Sequence, residues 1–210
     1  TVHDPIPTFI PDVVGPVFEA TAGAKATALG DINGDGLPDI ASISSESQPV
    51  QIHLRNAVTG KFDTISIAGG APLSRSNDIA LADFNADGKL DIAVLVNDTG
   101  YAPPKDWRAA KVGALVLLLQ GADPRDPSSW VQVSASTACI VPSPGADCDM
   151  YFSSNDIGLV DLDVGDFDKD GRADIVVTSN EPNDPADPSI PKRFVYLFLN
   201  PGAIGQSQAD

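Results

Sequence analysis

Glutamate is almost missing from this chain of 210 residues: Glu19, Glu46 and Glu181 stand against 26 aspartates. Glutamate favours helices, whereas aspartate favours turns and caps, so a helix-rich protein is not expected. Basic residues are also scarce, with 13 Lys plus Arg against 29 Asp plus Glu, a formal charge of −16. Such a field repels phosphate backbones and anionic lipid, which excludes nucleic acid as an expected partner. No run of 18 apolar residues occurs, so no helical membrane span is expected. Histidine is limited to His3 and His53, and neither G-x-S-x-G nor H-E-x-x-H is present. His53 falls on the polar side of an alternating strand and is expected to be exposed. No catalytic residue is assigned, and the chain reads as a non-enzyme. The acid–base alternative that so many aspartates leave open is a carboxylate pair such as Asp161 and Asp163.

Cysteine occurs only at 139 and 148, within a Pro/Gly-rich stretch. Without C-x-x-C spacing or a nearby His, a Cys139–Cys148 disulfide is favoured over zinc or redox chemistry; two free thiols are the other reading. The sequence opens at Thr1 without a start Met or an apolar leader, and so reads as processed or cut from a longer precursor.

Turn formers and apolar residues are plentiful: 18 Gly, 18 Pro and 42% hydrophobic content predict short strands joined by many turns around a sizeable core. An internal repeat organises them. Ala28–Ile43, Ala80–Leu95 and Asp163–Thr178 align without gaps, and each contains D-x-[DN]-x-D-G-x-x-D-I. A short apolar run follows every motif, at Ile40–Ile43, Ile92–Val96 and Ile175–Val177. These β-branched runs are too short for helices and read as buried strands. Further strands are predicted at Val50–Arg55, Ala114–Leu119 and Phe194–Leu199, then at Phe62–Ile67 and Trp130–Ser134, where Trp130 is expected in the core. With an entering strand before each motif (Thr27–Leu29, Ile79–Ala82, Leu159–Val164), the fold class is all-β. It comprises three four-stranded antiparallel repeats, although a fourth strand is not evident in the last. Four-stranded sheets repeated along a chain are the blades of a β-propeller.

Within the motif, oxygens at positions 1, 3, 5 and 9 converge with the position 7 carbonyl, and glycine at position 6 permits the sharp turn. An oxygen-only cage of this kind suits Ca²⁺. The ligand sets are Asp31, Asn33, Asp35, the Leu37 carbonyl and Asp39; Asp83, Asn85, Asp87, the Lys89 carbonyl and Asp91; and Asp166, Asp168, Asp170, the Arg172 carbonyl and Asp174. An EF-hand would carry Glu at position 12, where this chain has Ser42, Val94 and Val177. The loops therefore read as β-hairpins with structural calcium, about three ions in all. A metal-free Asp/Asn/Gly turn is the other reading.

These loops with their apolar strands resemble the FG-GAP/VCBS repeat family, which includes the integrin α-subunit propeller and some fungal lectins. The resemblance covers residues 26–200 or so. It implies one propeller blade per repeat, calcium in each hairpin, secretion to an extracellular or cell-surface setting, and a role in binding or adhesion. The periplasm is the other compartment compatible with it. The expected organisation is a 1–25 extension able to give a strand to another blade, repeats at 26–70 and 71–136, an inserted loop at 137–156, a third repeat at 157–200 and a 201–210 tail. Three blades are fewer than the 4 to 8 of a closed ring, so a larger propeller, or other chains that complete one, is expected.

Strand alternation puts the calcium loops on one face and the long insertions at 97–111, 137–155 and 180–193 on the other. Tyr101, Trp107 and Arg108 in the first insertion are types that anchor interfaces or stack on sugars, so a protein or glycan ligand is expected on that face. Folding back as a small loop core is the alternative for Trp107. The alternative functions are a structural subunit of a larger assembly and a part of a secreted carbohydrate-active enzyme.

Overall fold

Each apolar run behind an aspartate-rich loop forms the second strand of an antiparallel sheet. The computed structural model describes residues 24–44, 50–67, 76–97, 113–134, 158–181, 192–200 and 202. Blade 1 has the order β1 (Ala24–Gly30), β2 (Asp39–Ser44), β3 (Val50–Arg55) and β4 (Phe62–Ile67). Blade 2 repeats it with β5 (Ser76–Ala82), β6 (Asp91–Asn97), β7 (Gly113–Leu119) and β8 (Val131–Ser134). Blade 3 has three strands among the described residues: β9 (Gly158–Gly165), β10 (Asp174–Glu181) and β11 (Lys192–Phe198). The protein is all-β, built of propeller-type blades. Four strands are present in each of the first two repeats and three among the described residues of the last, where the sequence showed no evident fourth.

Equivalent residues pair identically in each blade: Ala41 lies opposite Ala28 and Ile52, Ala93 opposite Ala80 and Leu117, and Val176 opposite Asp163 and Leu197. Every first strand also carries a register shift, between Ala24 and Ala26, between Ser76 and Asp78, and in β9 opposite Thr178 and Ser179. Such irregularities increase local twist.

Alternation gives each sheet a front, facing the next blade, and a rear, facing the one before. The blade 1 front (Ala41, Ile43, Val50, Ile52, Leu54) meets the blade 2 rear (Ile92, Val94, Val116, Leu118) in one buried cluster. The blade 2 front (Ala93, Leu95, Leu115, Leu117, Leu119) meets the blade 3 rear (Leu162, Ile175, Val177, Phe198) in a second. Blade 2 is thus apolar on both sides, which explains the unbroken apolar runs of β6 and β7. Trp130 is buried in the first cluster as expected, its indole N–H donating to the Pro124 carbonyl at 3.2 Å.

His53 corrects an expectation. It is fully buried, with Nε2 2.9 Å from Ser42 Oγ and Nδ1 2.8 Å from Thr64 Oγ1. The polar alternation of β3 reflects a hydroxyl–imidazole ladder across β2, β3 and β4, and solvent exposure was the wrong inference from it. Burial disfavours the charged ring and lowers the His53 pKa.

Candidate metal centres

The three aspartate-rich loops link β1 to β2, β5 to β6 and β9 to β10, at one end of their sheets. Their hydrogen bonds repeat almost atom for atom. In the first loop Asp31 accepts from the backbone of Asp35 at 3.0 Å and of Gly36 at 2.8 Å, Asn33 accepts from Asp35 at 2.9 Å, and Asp35 accepts from Leu37 at 2.9 Å. Asp83, Asn85 and Asp87 do the same for Asp87, Gly88 and Lys89 within 2.8–3.1 Å. Asp166, Asp168 and Asp170 do so for Asp170, Gly171 and Arg172 within 2.9–3.1 Å. The loop is a succession of side-chain-to-backbone turns that wraps the peptide around its own carboxylates.

Two positions in each loop take left-handed backbone. Position 6 is glycine every time, at φ 83°, 83° and 86° for Gly36, Gly88 and Gly171. Position 4 does the same with Gly34 at φ 73°, Ala86 at 59° and Lys169 at 65°. Sequence reading missed this second bend because only one of its three residues is glycine.

Position 9 is the buried member of each set. Asp39 accepts from Ile32 N at 2.9 Å, Asn33 N at 3.3 Å and Arg55 N at 2.7 Å. Asp91 accepts from Phe84 N at 2.9 Å and Gln120 N at 2.8 Å, and Asp174 from Phe167 N and Asn200 N at 2.8 Å each. One carboxylate oxygen therefore closes the loop and the other holds the chain at the end of the third strand (Arg55) or just beyond it (Gln120, Asn200). This hydrogen-bonded role was not part of the expectation from sequence, which assigned the residue as a ligand alone. Burial pushes the Asp91 carboxyl up to about 6 and also raises that of Asp39.

Position 5 turns toward cations where they exist. Asp87 meets the Lys89 ammonium at 3.1 Å, and Asp170 meets the Arg172 guanidinium. Burial opposes ionisation of Asp87, but hydrogen bonds from Lys89 and Asn85 hold its carboxyl below the usual range. In the third loop, oxygens of Asp166, Asp168 and Asp174 lie within 4.8 Å of one another. Hard carboxylate oxygens brought so close fit a hard divalent cation such as Ca²⁺. The first two loops place Asn33 and Asn85 at the third position, so their donor sets are one charge poorer.

Position 2 is a further functional position, signalled in sequence by a large apolar residue inside a polar loop. Ile32 and Phe84 drop into the seam with the following blade. Asn200 fastens the second of these seams, its amide donating to the Phe84 carbonyl at 2.8 Å and the Ala173 carbonyl at 3.2 Å.

Comparison with known families finds a likeness over the first two of these hairpins. Residues 20–94 match the model of the FG-GAP-like repeat. The match spans blade 1, β5 and the first part of β6; the β9–β10 loop, outside the match, carries the same D-x-[DN]-x-D-G-x-x-D spacing and the same bonds. No curated protein matches the chain. Tyr101, Trp107, Arg108, Cys139 and Cys148 lie outside the described residues, as do the Phe9–Glu19 segment and the 203–210 part of the tail. No helix among the described residues is long and apolar enough to cross a membrane.

Proposed function

We propose that this FG-GAP-like repeat protein is an extracellular binding or adhesion module whose blades are pinned by calcium and whose insertion loops take a protein or glycan partner. The observation that carries the metal part is the threefold repetition of one oxygen cage, with three carboxylates gathered in the third loop. Bound Ca²⁺ would neutralise the mutual repulsion of the loop carboxylates. Ten of the 29 acidic side chains lie in these loops, so three ions would move the formal charge from −16 to −10. Thermal melts in excess Ca²⁺ and in chelator test it: a raised midpoint with Ca²⁺ is expected, and equal midpoints overturn it.

Strand direction supports the choice of binding face. β6 ends and β7 begins at the end of blade 2 away from its metal loop, so the intervening insertion with Tyr101, Trp107 and Arg108 departs from that end. Replacing Trp107 by Ala should cost about 2 kcal/mol in ligand affinity, whereas replacing exposed Lys61, beside the β3–β4 turn, should cost little. Binding curves with a ligand drawn from a glycan array or pull-down decide between the faces. A Cys139–Cys148 disulfide in the second insertion completes the extracellular reading, and intact mass without reductant tests it.

A non-catalytic role is part of the proposal. The Ser42–His53 pair has Thr64 where a carboxylate would orient the imidazole, and both Ser42 and His53 are buried from any substrate.

A further inference from the structure

The three aspartate-rich loops share their hydrogen bonds but differ at positions 3 and 4, which are Asn33–Gly34, Asn85–Ala86 and Asp168–Lys169. Asn33–Gly34 is the one Asn-Gly pair in the sequence. Without a Cβ, glycine leaves its peptide nitrogen open to approach, and Gly34 is exposed with nothing within 4 Å of where a Cβ would stand. From Ile32 to Leu37 every other backbone N–H is donated to a side chain of the loop. The Gly34 N–H has no acceptor among the described residues. The nitrogens that follow an aspartate are tied down instead: Gly36, Gly88 and Gly171 each donate to the first aspartate of their loop at 2.8–3.0 Å. Facing the free nitrogen is the Asn33 carboxamide, whose Oδ1 accepts from the Asp35 N–H at 2.9 Å while Nδ2 donates to Asp35 Oδ2 at 3.0 Å. This turn folds the amide back over the Gly34 peptide, and the N–H donated to Oδ1 draws electron density from Cγ.

We infer that Asn33 is a site of spontaneous modification in the native protein, deamidated through attack by the Gly34 nitrogen. That nitrogen gives its proton to solvent and bonds to Asn33 Cγ; the Cγ–Nδ2 bond breaks, and Nδ2 leaves as ammonia. A cyclic imide then joins residues 33 and 34. Water opens it at either carbonyl, restoring the normal main chain with a carboxylate at position 33, or routing the main chain through the former side chain as isoaspartate. One water enters, one ammonia leaves, and nothing is oxidised or reduced. The other loops are protected by chemistry: Ala86 covers the nitrogen after Asn85, and the third loop has a carboxylate, a poor electrophile, at Asp168. The normal product would give the first loop the acidic position 3 that the third loop already has in Asp168. Isoaspartate adds a main-chain carbon between Ile32, fixed in the seam with blade 2, and Asp35, fixed on Asp31, and so loosens the plug from its turn. The first loop is thus the one that changes charge and length with age.

The test incubates the native full chain in chelator at mildly alkaline pH and follows Asn33 and Asn85 by peptide mass mapping, with an isoaspartate-specific methyltransferase to count the rearranged product. Asn33 should convert at least roughly tenfold faster than Asn85 in the same molecule, and both products should form. Gly34→Ala copies Ala86, whose backbone takes the same left-handed bend at φ 59°, so the loop should keep its fold while conversion slows by a similar factor. Conversion at Asn33 no faster than at Asn85 overturns the inference, as does a Gly34→Ala protein that converts as fast as the parent. Conversion seen in the urea-unfolded chain but not in the native one would assign the reaction to the sequence and not to the loop, and would overturn it equally. The reaction needs only the loop and water, so its failure would leave the calcium and ligand proposals standing.

Discussion

Asp91 Oδ1 lies 2.8 Å from the backbone N–H of Gln120, while its Oδ2 lies 2.9 Å from that of Phe84. One side chain thus fastens the aspartate-rich loop of blade 2 to the end of β7. Removing it as Asp91→Ala leaves two backbone donors without their partner, at about 1–3 kcal/mol each. Urea unfolding in chelator should record a loss of about 2–4 kcal/mol. Asp91→Asn, which keeps an acceptor, should lose less.

Calcium uptake by the second loop should depend on pH, because the Asp91 carboxyl is held at about 6 by burial. A folded pKa above the unfolded value of 3.8 means that protonation favours the fold: this contribution is full below 3.8 and is lost as pH rises through 6. On the calcium reading proposed above, Ca²⁺ would have to displace that proton below pH 6. Calorimetric titration should therefore find weaker binding at the second loop at pH 5 than at pH 7.5, and the midpoint gain from Ca²⁺ should shrink in parallel.

His53 works in the opposite sense. Its folded pKa is below the unfolded value of 6.5, so the unfolded chain takes up the proton first. Its contribution to stability is intact above 6.5 and declines as pH falls from there toward the folded pKa. His53→Leu, which copies Leu118 of blade 2, should remove this slope. The stability difference between variant and parent, measured in chelator at a series of pH values, isolates it from the aspartates.

Ala86 and Lys169 occupy left-handed backbone, which costs an L-residue roughly 1–2 kcal/mol. Glycine avoids that cost but has more freedom to lose on folding. Ala86→Gly and Lys169→Gly should each stabilise by about 0.5–1 kcal/mol, read from the midpoint of a denaturant curve at unchanged slope.

Most of the fold was legible because two signals agreed. The D-x-[DN]-x-D-G-x-x-D spacing located the turns, and the apolar runs behind them located the central strands, whose burial on two sides leaves no alternation to misread. The strand bounds fell within a few residues for the same reason. His53 was misjudged because a polar strand face looks the same in sequence whether water or a hydroxyl ladder satisfies it. The hold of Asp39, Asp91 and Asp174 on the end of the third strand was hidden because their partners are backbone N–H groups of Arg55, Gln120 and Asn200, and such donors leave no mark on residue type. The bend at position 4 was hidden by Ala86 and Lys169, which carry no signature of left-handed backbone.

Blade 2 has Ile92 and Val94 against one neighbour and Ala93 and Leu95 against the other. It has no broad face of its own to give to water, so it cannot open by itself: either seam must part first, and each parting wets an aliphatic sheet. Its central amides should consequently exchange with solvent only when the molecule unfolds as a whole, whereas blade 3 can loosen from its free side. Local opening would therefore work inward from the two ends of the array, and the strands of the middle blade would be the last to let water in.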